Sequence, residues 1–267
     1  MCLIVFDWRP GSAIPLRLAA NRDEFHDRPS AALAVWDDAP RIVGGRDLRA
    51  GGTWLAAHER GRLAAVTNVR DPEFTAPVDG PSRGALVRDA LACESLPEWL
   101  NALAEGGAER YAGFNLLVGN GHKLWHLHHG RDATRLQEVA AGLHGLSNAS
   151  LDTPWPKLER SRARLGEAID GAEASFADAA WELLADEHRP DDAALPDTGV
   201  ELALERLLSA PFIAGDDYGT RASTWVEWRA SGEIAIGERR FGPGGRKLGE
   251  TQCRLEIIET AGRQGEP

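Results

Sequence analysis

The second residue of the chain is a cysteine, Cys2, and its position is what gives it chemical interest. Aminopeptidases remove an initiator methionine when the next side chain is small, so trimming of Met1 would leave a thiol and a free α-amine on one residue. An α-amine titrates near about 7.7 and an isolated thiol near about 8.5, so the amine can take the thiol's proton at neutral pH. Cys2 would then carry its own general base. Position alone also fits a plainer use, because free cysteines are commonly small buried residues of a strand.

A second polar group follows an apolar stretch at Leu18-Ala19-Ala20-Asn21-Arg22-Asp23-Glu24-Phe25. If residues 2–8 and 15–21 form a hairpin through Arg9-Pro10-Gly11-Ser12, the second strand returns to the start of the first. Asn21, Arg22 and Asp23 then fall beside Cys2. Asp23 would accept hydrogen bonds from the α-ammonium, and Arg22 would favour the thiolate by its charge. An Asx turn with a solvated ion pair is an equally simple reading of the same spacing.

With Cys2 ahead of it, Asn21-Arg22-Asp23-Glu24 resembles the motif that names the NRDE family, also called the transport-and-Golgi-organisation-2 family. Further blocks resemble that family in order: Gly51-Gly52-Thr53-Trp54-Leu55, Ala65-Val66-Thr67-Asn68-Val69-Arg70, Ser82-Arg83-Gly84, Gly113-Phe114-Asn115-Leu116-Leu117, His144-Gly145-Leu146-Ser147-Asn148 and Tyr218-Gly219-Thr220-Arg221. The family is similar in plan to N-terminal-nucleophile hydrolases of the choloylglycine hydrolase and penicillin acylase type. The resemblance therefore implies an αββα sandwich.

It also implies roles, residue by residue. Cys2 and Asp23 match the nucleophile and the aspartate that orients its amine. Asn148 lies where those enzymes keep an oxyanion asparagine, with Asn68 at a strand end as a second candidate donor. Arg221 resembles a late arginine near the thiol. Ala20 departs from the pattern: the bile-salt and penicillin hydrolases have an arginine there, and the nearest one here is Arg22. Taken singly, Asn68 reads as a turn former, Asn148 as a helix-entry residue and Arg221 as a surface charge. Together with Cys2 and Asp23 they make a set of nucleophile, base, orienter and oxyanion donors. Asn21, Arg22 and Trp54 are the candidates for contacting substrate.

The elements that must hold this set are legible in outline. Strands are expected at 53–57, 62–68, 113–118 and 123–128, the last two joined by Gly119-Asn120-Gly121, and again at 222–228, 233–236 and 253–258. Helices are expected at 82–92, 96–104, 155–169 and 174–185, with Ser82 and Thr153 as caps. Strands in runs, then helices in runs, argue for an α+β fold of two mainly antiparallel sheets packed face to face and covered by helices. One domain over residues 1–267 is the expectation, with the acidic stretch 186–198 as a surface loop.

Composition sets the outer limits. Hydrophobic residues make up 43% and charged residues 27%, enough to bury a core. The 30 basic and 41 acidic residues give a net charge of −11, which repels nucleic acid. No basic leader precedes the first apolar stretch and no run reaches membrane-helix length, so a cytoplasmic protein with no integral membrane segment is expected. Three scattered cysteines form no disulfide framework and no zinc pair. His122, His126 and His128 alternate onto one strand face without a carboxylate or cysteine to complete a metal site, so they are expected to face solvent. The Gly-rich stretch Gly44-Gly45-Arg46-Asp47 to Trp54 lacks a phosphate-loop pattern and is expected to shape a turn beside the site.

The expectation is an enzyme that hydrolyses or transfers the acyl group of an amide or thioester through Cys2, with no cofactor or metal. The alternative, implied by family associations, is a haem or acyl-lipid binding and trafficking protein on the same fold.

Overall fold

A computed structural model of the chain describes residues 2–75, 77–171 and 175–258. Its strands, in chain order, are β1 (Cys2–Trp8), β2 (Leu16–Phe25), β3 (Ser30–Trp36), β4 (Ala39–Asp47), β5 (Leu55–His58), β6 (Arg62–Asn68), β7 (Phe114–Gly119), β8 (Leu124–His129), β9 (Thr134–Glu138), β10 (Gly142–Leu146), β11 (Tyr218–Trp228), β12 (Glu233–Phe241) and β13 (Lys247–Glu256). The helices are α1 (Gly84–Ala92), α2 (Leu96–Ala104), α3 (Pro156–Asp170), α4 (Phe176–Leu184) and α5 (Leu202–Leu208). One sheet runs β10-β1-β2-β11-β12-β13, the other β3-β4-β5-β6-β7-β8-β9. Every pairing in both is antiparallel.

Alternation along the strands builds the layers. Ile4, Phe6 and Trp8 of β1 point one way and meet Leu55, Ala57, Leu63 and Leu117 of the facing sheet. Leu3 and Val5 point the other way, under Leu158 and Leu165 of α3 and Trp181, Leu183 and Leu184 of α4. On the far side Ala64, Val66, Leu116 and Val118 pack beneath α1 and α2 through Leu86, Leu91, Leu96 and Leu100. The result is an α+β sandwich of helix, sheet, sheet and helix, the expected four-layer plan. Among the described residues no helix is long and apolar enough to cross a membrane.

Several elements differ from expectation. β3, β4, β9, β10 and α5 lie outside the expected elements. β9 lies at a sheet edge with three of its five residues exposed, so it carries no apolar alternation. Gly44 and Gly45 belong to β4, and only the end of the Gly-rich stretch forms the turn. Thr153 does not cap α3, because Pro156 begins that helix and the Thr153 hydroxyl donates to Ser150 O at 2.9 Å. Ser82 accepts from Gly84 N at 3.3 Å. Residue 174, the expected start of α4, lies outside the described residues; Ser175 caps that helix by accepting from Asp178 N.

One polar contact ties the two sheets together. Glu238 of β12 faces the inter-sheet layer and accepts from Leu33 N of β3 at 2.8 Å. Burial pushes its carboxyl up to about 7, against the opposing pull of Arg240 and Arg22. A carboxyl raised in the fold above its ordinary 4.5 contributes stability that is complete below about 4.5 and is lost as pH rises through 7. Glu238→Gln should keep the Leu33 contact and remove that loss, raising stability at pH 8 by on the order of 2 kcal/mol. Urea unfolding between pH 5 and about 8 checks this: an unchanged slope with pH in the variant contradicts it.

Candidate active site

The first hairpin positions the site. β1 and β2 pair with Cys2 opposite Arg22 and Leu3 opposite Asn21, so Asp23 lies one step beyond the last pair, where the backbone nitrogen of Cys2 emerges. Directly opposed residues of an antiparallel pair share a face. Cys2 and Arg22 therefore share the inter-sheet side with Ile4 and Ala20, while Asp23 turns toward the helices over the outer face. There Asp23 is almost fully buried and its Oδ1 accepts from Thr220 Oγ1 of β11 at 2.7 Å.

Cys2 keeps part of its surface open to a cavity of about 220 Å3. Protein packed around it nevertheless desolvates the thiol. Burial pushes its pKa up, and the Asp23 charge adds to the rise, while the Arg22 guanidinium and the Asp23 backbone N–H work against both. Burial likewise pushes Asp23 up, opposed by Lys157, the Thr220 hydroxyl and Arg22. Burial thus disfavours the thiolate of Cys2.

The cavity wall is charged. Arg22, Arg28 and Arg83 line it beside Asp23, Glu24 and Asp47, with Thr53, Trp54, Val66, Asn68 and Ser82. Arg28 is held by Asp47 Oδ2 at 2.6 Å. Arg22 lies under the Trp54 ring at 4.5 Å, and its buried Nη1 has no hydrogen-bond partner among the described residues. Arg83, from the start of α1, donates to Gly113 O at 3.1 Å; burial lowers its pKa, and the Cys2 charge is the largest effect opposing that. Gly52 permits this wall to close, since a Cβ there would stand 2.4 Å from the Gly84 carbonyl carbon.

Asn68 and Asn148 form a pair with unequal parts. Asn148 Nδ2 donates to Asn68 O at 3.0 Å and to Asn68 Oδ1 at 2.9 Å, and Asn148 Oδ1 accepts from Ser147 Oγ at 3.2 Å. Both ends of the Asn148 amide are therefore used. Asn68 Nδ2 has no acceptor among the described residues, and Asn68 lines the Cys2 cavity. Asn148 instead borders a larger open cleft of about 700 Å3 with Arg70 and Trp155. The single Ser147 hydroxyl proton is shared between Asn148 Oδ1 and Cys2 O at 3.1 Å, which ties the pair to the Cys2 backbone.

Two other expected site residues are elsewhere. Asn21 donates to Leu184 O at 2.9 Å and Pro211 O at 2.8 Å and accepts from Ser223 Oγ at 2.6 Å, so it anchors the outer helical layer and does not line the cavity. Arg221 donates to Phe25 O at 2.6 Å and Arg28 O at 3.0 Å; it clamps the chain where β2 leaves its sheet and is not at the thiol. Of the three histidines expected to face solvent, His122 does, exposed in the turn before β8, and the other two do not. His126 is buried and His128 half-buried in the inter-sheet layer, both hydrogen-bonded to Asn115 Oδ1, at 3.1 and 2.8 Å, and burial lowers His126 to about 4. His122 precedes β8, in its turn. No cluster of three metal-ligating side chains occurs among the described residues.

Sequence reasoning missed two residues at the site, Arg83 and Lys157. Arg83 stood in the quoted Ser82-Arg83-Gly84 block without a role. Lys157 had a local signal, a basic residue in the first turn of a helix, where the dipole disfavours it.

The fold is loosely similar to two solved structures. An N-acylethanolamine-hydrolyzing acid amidase ortholog from Caenorhabditis elegans superposes with a TM-score of 0.46 at 10% identity, covering 84% of this chain and 92% of that one. A C2A mutant of conjugated bile acid hydrolase from Clostridium perfringens gives 0.44 at 8% identity, over 96% and 92%. Sequence similarity is far stronger. A Transport and Golgi organization protein 2 homolog from Bos taurus is 36% identical over 261 residues, 90% of this chain and 92% of that protein. The Homo sapiens homolog is 34% identical over 260 residues with the same coverage. The sequence model described as Transport and Golgi organisation 2 matches residues 1–243. The chain belongs to the Transport and Golgi organisation 2 family.

Proposed function

We propose that this protein is a cytoplasmic N-terminal-nucleophile cysteine enzyme that hydrolyses or transfers the acyl group of an amide or thioester. The observation that carries the reading is the shared cavity of Cys2 and Asn68, with the Asn68 amide oriented by Asn148 so that its Nδ2 has no acceptor among the described residues. Once Met1 is removed, the α-amine of Cys2 takes the thiol proton, and Asp23, one step beyond the Cys2–Arg22 pair, holds the resulting ammonium. Sγ attacks the substrate carbonyl carbon, and the carbonyl electron pair moves to oxygen. Asn68 Nδ2 donates to that oxyanion. Collapse breaks the bond to the leaving amine or thiol, which takes its proton from the ammonium. Water, or an acceptor nucleophile, then attacks the Cys2 thioester and restores the thiol.

Arg22 and Arg83 flank the thiolate and lower the cost of its charge. Trp54 covers Arg22 and walls the acyl group from water. Cys93 and Cys253 are free as well, which fits a reducing compartment. The roles of Asn148 and Arg221 become supporting ones.

An oxyanion exists only along the reaction, so its donor contributes to rate and little to ligand affinity. With a panel of acyl thioesters and aryl amides, Asn68→Ala should slow Cys2 acylation by on the order of a hundred- to a thousandfold at unchanged affinity. Asp23→Asn should slow it while the fold persists. If no panel member acylates wild-type Cys2, and haem or an acyl lipid binds equally to wild type, Cys2→Ala and Asn68→Ala, a non-catalytic binding and trafficking protein replaces the enzyme.

A further inference from the structure

The cavity that Cys2 opens onto is small, and most of its wall is charged. At about 220 Å3 it falls below the roughly 300–1,000 Å3 of pockets that enclose drug-sized ligands, so it holds a short group and not a whole long-chain ligand. Trp54 and Val66 give it an apolar side, while Arg22, Arg28 and Arg83 face it together with Asp23, Glu24 and Asp47. Which of these charges already has a partner decides what that short group can be.

The carboxylates are in use. Asp47 Oδ2 accepts from Arg28 Nε at 2.9 Å and Nη2 at 2.6 Å, and Asp47 Oδ1 accepts from the Arg49 and Ala50 amides at 3.0 and 3.3 Å. Glu24 Oε1 accepts from Phe25 N at 2.9 Å, and its Oε2 lies 3.7 Å from Arg28 Nε and 3.8 Å from Arg22 Nη2. Asp23 accepts from the Thr220 hydroxyl at 2.7 Å. The arginines are less well served. Arg22 is 6% exposed, its Nη1 has no hydrogen-bond partner among the described residues, and Trp54 covers one face of its guanidinium at 4.5 Å. Arg83 Nη1 donates to the Gly113 carbonyl at 3.1 Å, and no carboxylate pairs with Arg83 among the described residues. Its place on the wall is fixed by the backbone around it, where Thr53 N donates to Gly84 O at 3.2 Å and Gly84 N donates to Ser82 Oγ at 3.3 Å. The first amide of α1 is thereby taken, so an anion here would meet the guanidinium and not the helix end.

An apolar acyl group in this cavity would seal the Arg83 guanidinium from water with donors unfilled, which is costly for a cation. A carboxylate fills them. Its two oxygens match the guanidinium fork, and such charge-assisted bonds are about twice as strong as neutral ones. We propose that Arg83 binds a carboxylate of the substrate beside Cys2, with Arg22 as the second cation, so that the substrate class is a short acyl amide or thioester carrying a carboxylate a few atoms from the scissile carbonyl. The substrate class rests on the enzyme reading above, whereas carboxylate binding at Arg83 does not. Acylation removes the charge of Sγ, and both guanidiniums are then left to the carboxylate for the life of the thioester.

The first test needs no turnover. Succinamate and its uncharged counterpart succinamide are titrated into the full-length protein, and the backbone amides of Thr53 and Gly84 are followed by proton–nitrogen NMR. Succinamate should bind about tenfold or more tightly than succinamide, and Arg83→Gln should abolish that preference. Arg83→Lys, which keeps the charge without the fork, should retain part of it. Thermal unfolding verifies that each variant is folded. Equal binding of the two probes, no binding of succinamate, or a preference that survives in a folded Arg83→Gln overturns the proposal. The second test compares Cys2 acylation by two pairs of thioesters: a succinyl thioester of a neutral thiol with its methyl ester, and an acetyl thioester of 3-mercaptopropionate with its methyl ester. In one pair the carboxylate should raise kcat/KM, and Arg83→Gln should cut that advantage by about tenfold or more; the pair that responds shows whether the acyl group or the leaving group carries the anion. Acylation with no Arg83-dependent advantage in either pair overturns the substrate class. Arg83-dependent succinamate binding without acylation by any thioester overturns the enzyme reading and leaves the carboxylate site in place.

Discussion

The register of the β1–β2 hairpin sets Cys2 against Arg22 and leaves Asp23 one step past the pair. Strand side chains alternate, so a slip of one residue would turn Asp23 to the thiol's face and Arg22 into the helical layer. What fixes the register is burial on both faces. Ile4, Phe6 and Trp8 must enter the inter-sheet core, and Leu3 and Val5 must enter the helical one. The core thereby determines which polar residues meet at the strand's end. The β2–β11 pairing then brings Thr220 to Asp23.

Around that strand end the protein holds an unusual concentration of buried charge. Arg22, Asp23, Arg70, Lys157 and Glu205 are all nearly inaccessible to water. Desolvating such groups is expensive, and replacing paired ions with apolar residues is often neutral or favourable. The two sheets and three hydrophobic clusters stabilise the fold without them. The charge is better understood through the site it surrounds: three of these groups act directly on the ionisation of Asp23 or Cys2. Asn148 follows the same logic in neutral form, since its whole amide goes to fixing the orientation of Asn68.

The hairpin, the face-to-face sheets and the proximity of Cys2, Arg22 and Asp23 were legible because they follow from alternation and one short turn. Edge strands such as β9 were not, because a solvated edge needs no apolar pattern. Alternation put His126 and His128 on one face correctly, yet it does not tell whether another sheet covers that face. The resemblance places Asn148 as a donor to substrate, but a sequence gives a residue's place and not the direction of its amide, which here goes to Asn68. The resemblance places Arg221 near the thiol, but the register shift between Thr220 and Ala222 leaves it binding the Phe25 and Arg28 carbonyls. Lys157 carries a local signal as a basic residue in a first helical turn, but its burial is imposed from far along the chain, by Leu208 of α5, and is not legible from its neighbours.

The central claim is that Cys2 acts as the first residue, with its own amine as base. Intact mass of protein purified from its native source, before and after brief alkylation near neutral pH, tests this most directly. The account predicts a mass lacking Met1 and a single adduct on Cys2 ahead of Cys93 and Cys253. Retained Met1, or labelling of Cys93 or Cys253 before Cys2, would contradict it.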